Sequence, residues 1–268
     1  MNWTYNDKTQ TVKISPHFNS PLTGLPDDTK KIIFETTNKC NSQFNQPIEK
    51  NQLPSNVKSI EFCSSFNQPI SKNNLPPNIT HLSFDWNFNQ PVESLPNSIR
   101  HLTFGGGFNQ PVNLLPPNIT HLSFDWNFNQ PVNSLPPNIT HLSFGWRFNQ
   151  PVNLLPPNIT HLSFDWDFNQ PVDNLPNSLI SLTFYGSFNQ SIDMLPDSIT
   201  HLILNLKFDK EINKLPNNLI LLDLPLHYER PIINLPYGLK TVKLPLDYSI
   251  KKIKIPFGCE TKYRIECL

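Results

Sequence analysis

Phe88-Asn89-Gln90-Pro91-Val92-Glu93-Ser94-Leu95-Pro96-Asn97-Ser98-Ile99-Arg100-His101-Leu102-Thr103-Phe104-Gly105-Gly106-Gly107 is the stretch on which the fold turns. Its apolar positions are Phe88, Val92, Leu95, Ile99, Leu102 and Phe104. Only His101–Phe104 alternates with a period of two, so only it reads as a strand, with Leu102 and Phe104 inward and His101, Thr103 and Gly105 outward. Pro91 and Pro96 lack an N–H and fix φ, which rules out a helix of any length and favours extended or turn conformations over the rest.

The unit then repeats. An aromatic heads it at Phe18, Phe44, Phe66, Phe88, Phe108, Phe128, Phe148, Phe168, Phe188, Phe208, Tyr228 and Tyr248, at intervals of 26, 22 and 22 residues and then 20 throughout. A fixed period of this length is the mark of a solenoid. The predicted fold is therefore mainly β: a leucine-rich-repeat-like solenoid of about twelve 20–22-residue coils. Each coil has one short parallel strand, an extended proline-rich return and little helix, with strands stacked about 4.8 Å apart. Residues 1–17 are expected to form an N-terminal cap, 18–255 the solenoid and 256–268 a C-terminal cap. The degenerate copies from Phe208 onward, where proline gives way to Lys210-Glu211 and then Ile250-Lys251, are expected to form a polar cap. The longer intervals place their extra residues in loops, between Phe-Asn-Gln-Pro and Leu-Pro or within residues 35–43.

Two columns have structural readings. The Phe column should stack into an aromatic spine. Asn45, Asn67, Asn89, Asn109, Asn129, Asn149, Asn169 and Asn189 should form an amide ladder that pairs backbone groups where prolines cannot donate.

These residues resemble the FNIP repeat family, named for a Phe-Asn-x-Pro string that this chain carries as Phe-Asn-Gln-Pro. The Leu95-Pro-x-x-Ile-x-x-Leu-x-Phe104 frame resembles the wider leucine-rich repeats. The resemblance implies social amoebae or giant viruses of amoebae as a source, in keeping with a chain free of alanine and rich in residues with AT-rich codons. In those groups an F-box often precedes the array, which implies delivery of targets to a ubiquitin ligase. The 17 residues before Phe18 are too few for one, so a ligase would have to come from another chain. The family brings no catalytic residues.

The outward columns carry the functional expectation. His81, His101, His121, His141, His161 and His201 share the first outward strand position, interrupted by Ser181. Stacked imidazoles can hold a metal, but no recurring Cys or Glu completes a ligand set, so the column reads as a copied surface feature. Past the strand stand Asp85-Trp86, Gly105-Gly106, Asp125-Trp126, Gly145-Trp146 and Asp165-Trp166. The alternation keeps like charges two strands apart, and the glycines are expected to leave a notch between Trp86 and Trp126.

The candidate partner surface is thus His81, Asp85, Trp86, His101, His121, Asp125, Trp126, His141, Trp146, His161, Asp165 and Trp166. Residues 73–206 carry two basic against eight acidic groups, while 207–268 carry eleven against seven. The acidic middle points to a protein partner with a basic segment.

With a net charge of zero and no apolar run long enough to span a membrane, neither nucleic acid nor a membrane is expected as a partner. No nucleophile–base pair, phosphate-cradling loop, small-molecule site or cofactor motif stands out. Cys40, Cys63, Cys259 and Cys267 are too scattered for a disulfide framework or zinc pattern. The first fifteen residues hold no secretory h-region, so a cytoplasmic location is expected, the host's if the protein is viral. The sequons at Asn78, Asn118, Asn138 and Asn158 then read as by-products of the repeat. The expected function is a non-enzymatic interaction scaffold. Its alternatives are a structural rod or a ligase adaptor.

Overall fold

A computed structural model describes residues 3–36, 42–249 and 252–264 of the chain. The expectations that touch Cys40, Cys267, Ile250 and Lys251 lie outside these residues, as does most of the loop expected within 35–43. The architecture is a leucine-rich-repeat-like solenoid of about twelve coils, with no α-helix among the described residues. It divides into two compact units, Met1–Gln130 and Pro131–Leu268.

The first unit contains β1 (Trp3–Asn6), β2 (Thr11–Ile14), β3 (Lys31–Phe34), β4 (Ser59–Glu61), β5 (His81–Ser83), β6 (His101–Phe104) and β7 (His121–Phe124). β1 pairs antiparallel with β2, and every later pair is parallel. The second unit contains β8 (His141–Phe144), β9 (His161–Phe164), β10 (Ser181–Phe184), β11 (His201–Leu204), β12 (Leu221–Asp223), β13 (Thr241–Pro245) and β14 (Glu260–Arg264), all parallel. The register joins equivalent residues, as His101 to His121 and Phe104 to Phe124, because a constant period brings each residue back to the same place on the next coil.

The core is a double column of rings. The Phe-Asn-Gln phenylalanines stack coil on coil, Phe66 to Phe88 at 6.1 Å and Phe88 to Phe108 at 6.2 Å between centroids, within 7° of parallel. The strand phenylalanines form a second column, with Phe84 to Phe104 at 5.8 Å. Within each coil the two columns touch, as at Phe104–Phe108, 3.8 Å apart. The second unit repeats this through Phe184–Phe188 at 3.7 Å, after which Leu204, Leu224 and Leu244 replace the strand ring. Where tyrosine succeeds phenylalanine, its hydroxyl finds a backbone acceptor: Tyr228 donates to the Lys210 carbonyl at 3.1 Å and Tyr248 to that of Arg230 at 2.6 Å. Burial pushes the Tyr248 phenol up to about 12.

On the return side the amide ladder forms. The Oδ1 of Asn67 accepts from the Asn89 N–H at 2.9 Å, and that of Asn89 accepts from the Asn109 N–H at 2.9 Å. The Gln110 side chain also donates to the Oδ1 and the carbonyl of Asn89. Asn169 and Asn189 repeat the link in the second unit. These bonds tie coils together where proline leaves no backbone donor.

The two-residue insertions close as turns, with Gln52 donating to the Glu49 carbonyl and Asn74 to that of Ser71. Asn51 (φ 62°) and Asn73 (φ 69°) take the left-handed third position, which asparagine tolerates better than most residues. The coils past Phe208 differ from the polar cap expected, since they keep their strands and expose Ile233, Tyr237, Leu246 and Phe257. The outward column that is Ser or Thr in the middle coils becomes ionic there. Buried Asp223 sits 3.1 Å from Lys243 Nζ and 2.6 Å from the Arg264 guanidinium, a double pairing that compensates its desolvation.

Asn89→Ala removes the acceptor used by the Asn109 N–H and the Gln110 amide. It is expected to cost about 1 kcal/mol in urea unfolding, whereas Asn89→Asp, which keeps the acceptor, costs less.

Candidate functional site

The outward side chains of the strands, and the corner that follows each strand, hold every candidate residue. In the first unit the rings of His81 and His101 stack at 4.2 Å and 7°, and those of His101 and His121 at 4.3 Å and 22°. In the second unit His141 and His161 stack at 4.3 Å and 6°.

The residue before the histidine holds its ring. Thr80 Oγ1 lies 3.2 Å from the Lys58 carbonyl, to which it donates, and 2.9 Å from His81 Nδ1. The Lys58 carbonyl also accepts from the backbone N–H groups of Thr80 and His81, and the Oγ1–Nδ1 contact holds the imidazole against its own coil. Thr120–His121, Thr160–His161 and Thr200–His201 repeat the arrangement. Parallel rings present faces to one another, not converging lone pairs, and no cluster of three or more His, Cys, Asp or Glu able to hold a metal occurs among the described residues.

At the corners, Asp85 and Asp125 are exposed and fold back onto the chain. Asp85 Oδ1 accepts from the Trp86 N–H at 2.7 Å, and Asp125 Oδ1 from the Trp126 N–H at 2.8 Å. Each carboxylate therefore shapes the turn that carries its tryptophan. Trp86 is 49% exposed and Trp126 37%.

The notch expected between these two tryptophans is filled. The Trp86 ring lies across Gly106, where a Cβ would stand 2.6 Å from its Cε3 and Cζ3, and meets the Trp126 ring at 6.3 Å and 53°. A Cβ on Gly105 would fall 2.4 Å from the Asp85 carbonyl carbon, so that glycine is required by close approach of the preceding corner. Gly186 plays the same part in the second unit, where a Cβ would meet the Trp166 Cα at 2.2 Å. Duplication explains the alternation of corners, and packing explains why glycine fills these places.

In the second unit Trp146 and Trp166 stack at 4.9 Å and 14°, both half-buried, with Asp165 half-buried beside them. Two exposed residues continue this patch and were missing from the expected surface: Tyr185, 48% exposed, and Leu206, 45%. Leu206 stands in the tryptophan column and Tyr185 in the Asp/Gly column. Extending those columns past residue 170 would have found both.

With this geometry in view, the family relationship is plain. The FNIP Repeat family matches residues 18–65, 44–85, 66–107, 88–113, 108–134, 131–154, 151–187, 168–207 and 188–227, and the chain belongs to it. No match is found among the curated proteins. Among solved structures, the crystal structure of the giant-virus protein CroV588, described as a novel circular LRR protein, is similar at a TM-score of 0.81 and 38% identity. The match covers 92% of this chain and 39% of CroV588, so this chain spans about two fifths of that protein's length. YopM from Yersinia enterocolitica WA-314 gives a TM-score of 0.49 at 18% identity, over 93% of this chain and 66% of YopM.

Gly106→Ala forces the Trp86 ring off its seat. The expected result is a loss of about 1–3 kcal/mol and a shift in tryptophan emission, read by thermal melting and fluorescence of the same sample.

Proposed function

We propose that this FNIP-repeat array is a non-enzymatic scaffold that binds a protein partner through the strand face and its tryptophan corners. The observation that carries the reading is the pairing of half-exposed Trp86 and Trp126 with exposed Asp85 and Asp125 in coils whose other large rings are buried. A repeat protein satisfies its core with inward columns, and exposed tryptophan adds nothing to that core. Tryptophan held rigidly at a surface is a favoured binding anchor, because it buries much area for little lost freedom.

The acids at the same corners favour a basic segment in the partner, by steering and by disfavouring acidic competitors. In each unit an exposed histidine, His81 in the first and His161 in the second, stands on the outward side of its strand and is suited to polar contacts with a partner. Free thiols at Cys63 and Cys259 are in keeping with a reducing compartment, and we place the protein in the cytoplasm, the host's if it is viral.

A second reading, a structural or assembly array, draws on one observation: the chain is similar over nearly its whole length to part of a protein described as circular. Assembly predicts a mass that rises with concentration in light scattering without any partner, and the scaffold reading predicts a constant one.

With a partner in hand, Trp86→Ala and Trp126→Ala are each expected to weaken binding by roughly 1–3 kcal/mol in calorimetry. Asp125→Asn keeps the acceptor for the Trp126 N–H and removes the charge, so it should slow association and flatten its salt dependence while leaving dissociation nearly unchanged. Unchanged affinity in these variants, together with loss on substitution of Asn-Gln-Pro return residues, would place the partner on the other face.

A further inference from the structure

In the last coils of the second unit, the return side departs from the pattern of the array. Each return passes through a turn after Leu-Pro, and the residue at its tip is Asn97, Pro117, Pro137, Pro157, Asn177, Asp197 or Asn217 in successive coils. In the next two it is Tyr237 and then Phe257, so repeat copying does not account for the aromatics. The turns are closed by Leu239 N–H to the Pro236 carbonyl and Cys259 N–H to the Pro256 carbonyl, both at 3.1 Å. Gly258 takes the left-handed φ of +79° that the second turn requires.

The aromatics stand at the tips and project: Tyr237 is 98% exposed and Phe257 106%, with Ile233 beside them at 71%. They border a groove of about 780 Å³ whose lining includes Asn213 and Asn217 and whose charged residues are Lys214 and Lys254. The acids one coil earlier are already engaged. Burial raises the Asp193 carboxyl, but hydrogen bonds from the Asn213 side-chain amide and from the Lys214 and Asn213 backbone N–H groups outweigh it and hold the carboxyl below the usual range, and Asp197 accepts from the Asn217 N–H.

We propose that this turn-tip patch is a peripheral docking site for an anionic lipid surface, with Tyr237, Phe257 and Ile233 entering the interface and Lys214 and Lys254 meeting the headgroups. A side chain that protrudes with no walls of its own needs a pocket from any folded partner, while a bilayer interface receives it from all sides. The absence of acid from the groove lining and the two ammonium groups favour anionic headgroups over neutral ones. The zero net charge of the chain does not oppose this. A surface responds to charge within about a Debye length, roughly 8 Å at physiological salt; Asp193 and Asp197, which come that near, are turned onto the N–H groups of Asn213, Lys214 and Asn217.

The test is co-sedimentation of the 268-residue chain with phosphatidylcholine vesicles and with mixed phosphatidylcholine–phosphatidylserine vesicles. Binding to the mixed vesicles alone is expected. It should weaken roughly tenfold in Tyr237→Ser/Phe257→Ser and clearly in Lys214→Gln/Lys254→Gln, and fall with added salt. These side chains are exposed, so the melting temperature of each variant should match the parent, and the lysine variant stands alone if the aromatic one misfolds. Trp86→Ala should leave vesicle binding intact, which separates this site from the strand face. No preference for phosphatidylserine vesicles, or equal sedimentation of variants and parent, overturns the proposal. So does capture of a soluble polyglutamate peptide, with the same dependence on Tyr237 and Phe257, in place of the vesicles.

Discussion

Phenylalanine stacked on phenylalanine, coil after coil, is the contact on which the rest of this structure depends. A 20-residue coil with one short strand is too thin to bury a core of its own. It becomes stable only when its ring from the strand and its ring from the return meet those of its neighbours, at about the spacing that the strands impose. Phe104 shows the arrangement, touching Phe108 in its own coil and stacking between Phe84 and Phe124. The arrangement tolerates insertion in the loops and very little in the step between rings. This is why the extra residues near Asn51 and Asn73 form separate turns and leave the columns in place.

The polar ladders follow from the same constraint. Once rings stack in register, every outward or turn residue faces its own copy. An asparagine that faces an asparagine can accept from the next backbone N–H, and the return side closes its hydrogen bonds despite 28 prolines in the chain. A threonine that bonds the previous carbonyl also holds the ring of the histidine after it. Repetition turns one local bond into a row, so these features testify to folding before they testify to function.

Function is better sought where the columns break. Trp86 and Trp126 are exposed on either side of a glycine coil, Tyr185 and Leu206 replace the regular corner residues, and Tyr237 and Phe257 replace proline and asparagine at the turn tips. Each break places a large apolar side chain in water where the architecture does not need one. The first two groups share the strand face with acids, and the third shares the return side with lysines. The two surfaces thus differ in the charge that they offer a partner.

The period, the strand at His101–Phe104, the inward set of Leu102 and Phe104 and the asparagine ladder were legible in the sequence, because a constant step makes a residue's column a property of its number alone. What a side chain does within its column depends on atoms one coil away, and the step does not carry that information. Only the tertiary structure laid Trp86 over Gly106 and closed the expected notch. Only it separated half-exposed Trp86 from Trp166, half-buried against Trp146, though both sit at the same place in the repeat. The same holds for Tyr237 and Phe257, whose exposure follows from the turn beneath them. The sequence by itself determined which residues stack; close approach between neighbouring coils decided which of them reach solvent.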